Sequence, residues 1–143
     1  MKKIDCILLI DDNKATNFLH ETLIEELDVA QNIAIEYNGR DGLAFLENYS
    51  REGKFPEVIL VDIHMPVMDG FDFLDGYQQR HFHQKFDSLV VMLTTSTNPR
   101  DMDRIREAGF AGYLPKPLTE EHILSLIETY SGGAHRNLLS TSH

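Results

Sequence analysis

Apolar residues in this chain fall into short unbroken runs, and each run ends in a few polar residues. Ile7-Leu8-Leu9-Ile10 leads into Asp11-Asp12, and Val58-Ile59-Leu60-Val61 into Asp62. Val90-Val91-Met92-Leu93 leads into Thr94-Thr95-Ser96, and Ala111-Gly112-Tyr113-Leu114 passes through Pro115 to Lys116. Runs of this length without alternation suit strands covered on both faces. Between them, apolar residues recur at helical spacing. Phe18, Leu19, Leu23, Ile24 and Leu27 do so within Lys14 to Leu27. Leu43, Phe45 and Leu46 follow the turn Asn38-Gly39-Arg40-Asp41-Gly42, and Phe71, Phe73, Leu74 and Tyr77 follow Asp69-Gly70. Ile123, Leu124, Leu126 and Ile127 form the stripe of a last helix.

Local signals punctuate these elements. Ile33 to Tyr37, with Ile33 and Ile35 on one face, reads as a further short strand, and Pro56 introduces the run that ends at Asp62. Asn98-Pro99 pairs an N-cap with proline at the first helical position. That helix runs to Ala108, where Gly109 supplies a stop. Thr119 opens the last helix with His122, not glutamate, at the third position, an incomplete capping box. The polar connector Gln78 to Asp87 is long for its place before the strand Leu89 to Leu93. Five strand–helix units predict an α/β fold with a doubly wound, five-stranded parallel sheet. In such sheets ligands bind outside the carboxyl ends of the strands. There this chain gathers three carboxylates, hydroxyls and one ammonium.

Length and composition narrow the picture. The 143 residues suit one domain, here 1–130, followed by a flexible tail, 131–143, that contains Gly132-Gly133 and lacks an amphipathic pattern. With 42% hydrophobic and 25% charged residues a real core can be buried. The 13 basic and 23 acidic residues leave a net charge of -10, which repels nucleic acid and anionic membranes and suits a protein-binding module. A lone cysteine, Cys6, lies within the first apolar run, so it reads as a small core side chain in a reducing compartment. No secretory signal and no run of ~20 apolar residues is present, so a cytoplasmic location is expected.

Asp11-Asp12, Asp62 followed by Met65-Pro66 and Asp69-Gly70, Thr94, and Lys116-Pro117 each follow their own strand. With these motifs the chain resembles the response-regulator receiver domains of two-component signalling, from about Lys3 to Tyr130. The resemblance implies a flavodoxin-like strand order 2-1-3-4-5. It also implies that Asp62 accepts a phosphoryl group from a histidine kinase or phosphotransfer protein. It implies Mg²⁺ held directly by Asp12 and Asp62, by Asp11 through water, and by the backbone carbonyl of His64. Lys116 and Thr94 would meet the phosphoryl oxygens, and Tyr113 would swing inward as Thr94 moves. With no second domain following, output is expected through binding a downstream protein or through a phosphorelay.

Chemistry supports those roles. An aspartate can act as a nucleophile toward phosphorus, but the attack brings an anion onto a group dense with negative charge, so cations are needed. Mg²⁺ is hard and takes oxygen ligands of the kind these aspartates offer. Lys116 supplies a point charge and Thr94 a hydroxyl donor. Crowded carboxylates should repel one another, raise their pKa values and make the metal-free fold less stable.

Singly, each residue has a plainer explanation. Asp11-Asp12 could cap the following helix, Met65-Pro66 and Asp69-Gly70 are turn chemistry, Lys116 could be solvated, and Tyr113 could be a half-buried strand tyrosine. His64, two residues after Asp62, could hold or obstruct an attacking water. Thr95 could narrow access to the site. His81 and His83 read as a solvated loop more readily than as a metal pair. Two rival functions share the carboxylates. A Mg²⁺-dependent phosphohydrolase would want a second carboxylic acid where His64 stands. A phosphorylation-independent scaffold would have no need of the charge cluster.

Overall fold

Every apolar run becomes a strand. In the computed structural model, which describes residues 3–95 and 98–131, β1 is Ile4–Ile10, β2 Ala30–Glu36, β3 Val58–Asp62, β4 Leu89–Thr94 and β5 Gly112–Pro115. All pair in parallel, in the order β2-β1-β3-β4-β5 that the resemblance implied. The helices are α1 (Lys14–Leu27), α2 (Gly39–Arg51), α3 (Gly70–Gln79), α4 (Phe82–Lys85), α5 (Pro99–Ala108) and α6 (Glu120–Ser131).

Side chains alternate between faces along a strand, so each run feeds two cores. Ile7, Leu9, Val58, Leu60, Val91 and Leu93 pack with Ile24 of α1 and with Ile123, Leu126 and Ile127 of α6. Leu8, Ile10, Ile59, Val61 and Met92 face Leu43 and Leu46 of α2, Phe73 and Leu74 of α3 and Ile105 of α5. With both faces buried, the strand ends are where polar chemistry can reach solvent. Cys6 is buried, as its place in β1 predicted.

The structure departs from the sequence reading in four places. β2 starts at Ala30 and stops at Glu36, leaving Tyr37 exposed, because its pairing partner β1 begins at Ile4 opposite Ala30. The turn at Asn38 is already the first turn of α2, since Asn38 Oδ1 accepts from the Asp41 N–H at 2.8 Å. On α1 the buried stripe is Asn17, His20 and Ile24, while Phe18 and Leu19 are 69% and 50% exposed. The same helical spacing admits both stripes, and polar partners behind Asn17 and His20 decide between them. At α6, the His122 N–H donates to Thr119 Oγ1 at 3.2 Å and the Thr119 N–H to His122 Nδ1 at 3.0 Å. The imidazole thereby completes the capping box in place of glutamate. Of the tail expected over 131–143, Ser131 is instead the last residue of α6, and residues 132–143 lie outside the described residues.

The long connector is a clip. Within it α4 turns Phe82 into the core, and Phe86 stacks on Phe55 with ring centroids 3.9 Å apart. Phe82 lies 5.1 Å from Phe55 and 5.5 Å from Tyr77, centroid to centroid. The phenylalanines of this cluster lie just before β3 and β4, at the ends of those strands opposite Asp62 and Thr94. Phe82→Ala should therefore cost about 3 to 5 kcal/mol in urea denaturation, and a loss below about 1 kcal/mol would mean that the connector is loosely attached.

Candidate functional site

The parallel order places the carboxyl ends of β1, β3, β4 and β5 side by side. Asp62 is the last residue of β3 and Thr94 the last of β4; both are buried, as is Asp11 just past β1. Asp12 is exposed at the mouth, and Lys116 follows β5 directly. The Lys116 ammonium reaches inward to Asp11 Oδ2 at 2.9 Å and Asp62 Oδ1 at 3.1 Å. Its backbone N–H donates to the Thr94 carbonyl at 3.1 Å, tying the loop after β5 to β4. Asp11 Oδ1 accepts from the Asn13 N–H at 2.9 Å, so both of its oxygens are engaged.

The loop after β3 closes tightly beneath the site. The Ile63 N–H donates to the Leu93 carbonyl and the Gly70 N–H to the Ile63 carbonyl. A Cβ on Gly70 would stand 2.7 Å from the Asp62 carbonyl oxygen and 2.9 Å from Met92 Sδ, which explains glycine there. Asp69 caps α3 by accepting from the Asp72 N–H at 2.8 Å. Val67, at the exposed loop tip, has φ 70°, a left-handed conformation costly for a β-branched residue. His64 lies in this loop and is exposed.

Electrostatics follows from burial. Desolvation pushes the Asp62 carboxyl above its usual pKa, the Asp11 charge adds to the rise, the Lys116 hydrogen bond and charge oppose it, and Asp12 adds again. The expected repulsion is therefore visible at Asp62. For Lys116, burial would lower the pKa, but its hydrogen bonds to Asp11 and Asp62 and their charges outweigh burial and raise it. Oxygens of Asp11, Asp12 and Asp62 all lie within 4.8 Å of one another, and among the described residues only these three form such a group. Three carboxylates against one ammonium leave two negative charges in excess. Hard oxygen donors, that charge and an exposed Asp12 side open to waters fit a small divalent cation such as Mg²⁺.

Tyr113 is half-buried on β5, in register with Met92 and on the face of the α3–α5 core, opposite Leu114. His81 and His83 are exposed with ring centroids 6.4 Å apart, away from any third ligand among the described residues, which supports the solvated reading. Thr95 is exposed beside the site.

Sequence reasoning missed two residues of α1. Asn17 Nδ2 donates to the Asp11 carbonyl at 2.8 Å, and its buried Oδ1 has no hydrogen-bond partner among the described residues. Buried His20 accepts the Leu118 N–H on Nε2 at 3.0 Å. The available signal was two polar residues at i and i+3 in line with Ile24. Burial pushes the His20 pKa down, Asp11 opposes this and Lys116 reinforces it, and accepting the Leu118 N–H requires an unprotonated Nε2.

The chain matches the family model of the response regulator receiver domain over residues 7–128 and belongs to that family, a component of two-component signalling systems. It is 32% identical over 124 residues to the sensor histidine kinase CheAY of Helicobacter pylori, a match that covers 85% of this chain and 14% of that protein. It is 30% identical over 123 residues to the probable methanogenesis regulatory protein FilR2 of Methanothrix harundinacea, covering 85% and 78% of the two. The chain thus spans a small part of the kinase and most of the regulator. A two component response regulator from Cytophaga hutchinsonii superposes with a TM-score of 0.85 at 30% identity over 92% of this chain and 99% of that one. Chemotaxis protein CheY4 of Vibrio cholerae gives 0.71 at 26% identity over 89% and 98%.

Three measurements follow from this site. Mg²⁺ should raise Tm, on the order of 5–10 °C at about a hundredfold excess over Kd, and Asp12→Ala should abolish the shift. Without metal, Asp62→Asn should melt higher than wild type at neutral pH, because a carboxyl with a raised folded pKa is destabilising once ionised. A Mg²⁺ response that survives in Asp12→Ala would remove Asp12 from the ligand set. For His20 the sign is opposite. The unfolded chain takes up a proton near pH 6.5, about the reference value, while the folded imidazole resists, so stability should fall as pH drops below that value. Melting curves from about pH 7.5 to 5.5 should show a shallower decline in His20→Gln than in wild type.

Proposed function

We propose that Asp62 is the phosphoacceptor of this receiver domain and that a histidine kinase or phosphotransfer protein supplies the phosphoryl group. The observation that carries this reading is a buried carboxylate at a strand end, 3.1 Å from a partly buried ammonium and grouped with two further aspartates. A carboxylate oxygen of Asp62 attacks phosphorus, the O–P bond forms, the P–N bond of the donor phosphohistidine breaks, and the imidazole leaves with the electron pair. Lys116 then pairs with a phosphoryl oxygen, and the Thr94 hydroxyl donates to another. Mg²⁺, held by Asp11, Asp12, Asp62 and the backbone carbonyl of His64, would neutralise charge on the transferring group. Phe18 and Leu19 stand exposed on α1, which starts two residues past Asp12, and offer apolar contact to the donor.

The output is a change in protein affinity. When Lys116 and Thr94 turn toward the phosphoryl group, the surface of α5, β5 and α6, with Tyr113 on β5, adopts a second arrangement that a downstream protein reads, or the group passes to another histidine. The net charge of -10 favours a protein over nucleic acid as that target. No described helix is long and apolar enough to cross a membrane. The phosphohydrolase alternative lacks a carboxylic acid at position 64. The scaffold alternative leaves the buried ion pairs without a purpose, since receiver domains are regulatory phosphoacceptors.

Incubation with Mg²⁺ and acetyl phosphate, followed by intact-mass spectrometry, tests the assignment. Wild type should gain one acid-stable, base-labile phosphoryl group and Asp62→Asn none, because the isosteric amide is not nucleophilic. Labelling of Asp62→Asn at the wild-type rate would place the acceptor elsewhere.

A further inference from the structure

Lys116 carries its charge on a flexible four-carbon stem, so the reach of the ammonium depends on how firmly its backbone is held. β5 ends at Pro115, and from there no ladder fixes the chain. On one side, the Lys116 N–H donates to the Thr94 carbonyl at 3.1 Å. Pro117 has no N–H to offer. The next donor is Leu118, whose N–H enters a buried hydrogen bond of 3.0 Å to Nε2 of His20, 98 residues away in sequence. One turn earlier on the same face of α1, Asn17 Nδ2 holds the Asp11 carbonyl at 2.8 Å. Helix α1 therefore grips both the strand end that carries Asp11 and the loop that carries Lys116.

We infer that His20 is a positioning residue: by accepting the Leu118 N–H it fixes the loop after β5 so that the Lys116 ammonium meets Asp62. The inference rests on the reading of Asp62 and Lys116 as the phosphoryl-transfer pair. An apolar side chain of similar size would fill the same space in the core, so packing alone does not call for an imidazole. What the imidazole adds is an acceptor at the far end of a rigid ring. With Nε2 accepting, the neutral ring carries its proton on Nδ1, and burial keeps it in that form.

The test uses the full chain, Mg²⁺ and acetyl phosphate, with His20→Leu, His20→Gln and Lys116→Met. His20→Leu should slow phosphorylation of Asp62 roughly tenfold or more, since small misplacements of a catalytic group are costly. The Mg²⁺ Kd should hold within about twofold, because the three aspartates remain, and His20→Gln, whose amide oxygen can accept the same N–H, should recover most of the rate. In the Lys116→Met background, His20→Leu should cause no further loss, as expected when one residue acts through the other. An equal loss in both backgrounds would overturn the inference and mark His20 as a general contributor to the fold. If His20→Leu does not fold, His20→Asn, polar but too short to reach Leu118, takes its place with the same expectations. A second readout is independent of phosphorylation. In lysine labelled with ¹⁵N, the sheltered Lys116 ammonium should give a slowly exchanging signal that His20→Leu loses and His20→Gln retains. A signal unchanged in His20→Leu also overturns the inference. A wild type that takes up no phosphoryl group while this signal behaves as expected defeats the assignment of Asp62 and leaves His20 as the residue that places Lys116.

Discussion

One ammonium between two buried carboxylates organises this molecule. Asp11 comes from the end of β1, Asp62 from β3 and Lys116 from just beyond β5, and the salt bridges at 2.9 and 3.1 Å draw these ends together. The pairing is incomplete by design of the charges, because one cation faces three aspartates. Burial makes the shortfall costly, as the raised pKa of Asp62 records. On the proposed reading of Asp62 as phosphoacceptor, an incoming cation or phosphoryl group would change this balance of charge. On that reading, the imbalance would supply the differential interaction a switch requires.

The rest of the architecture keeps that imbalance in one place. Strands buried on both faces leave polar groups only at their ends, and a parallel sheet puts all the carboxyl ends on one edge. The two edges have opposite characters. The carboxyl edge holds charges at close range, while the amino ends of β3 and β4 meet the aromatic cluster of Phe55, Tyr77, Phe82 and Phe86. Glycine at position 70 lets helix α3 start against the Asp62 carbonyl, so the backbone packs closely under the site.

Much of this was legible in the chain itself. Apolar runs with polar ends are a local pattern, and their order along the chain limits the topology because parallel crossovers have one hand. The motifs at Asp11-Asp12, Asp62, Thr94 and Lys116 needed only their positions after strands to be gathered on one edge. Cap signals at Asn98 and Gly109 were read from local chemistry and hold in the structure. Boundaries fared worse where pairing partners set them. β2 extends to match β1, and α2 begins a turn early because Asn38 finds its donor in Asp41.

Spacing, residue type and motif order are properties of the sequence, and they determined the sheet, its two cores and the acidic site. What a residue touches across the fold is not written in its neighbours. Phe18 and Leu19 look like the core face of α1, yet Asn17 and His20 take that face because Asp11 and Leu118 stand behind them with a carbonyl and an N–H to satisfy. The polar connector before β4 becomes an aromatic clip because Phe55, from another segment, lies opposite it. Only the tertiary structure decides such pairings, since an unsatisfied buried polar group or an unfilled space is a cost that long-range neighbours alone can remove.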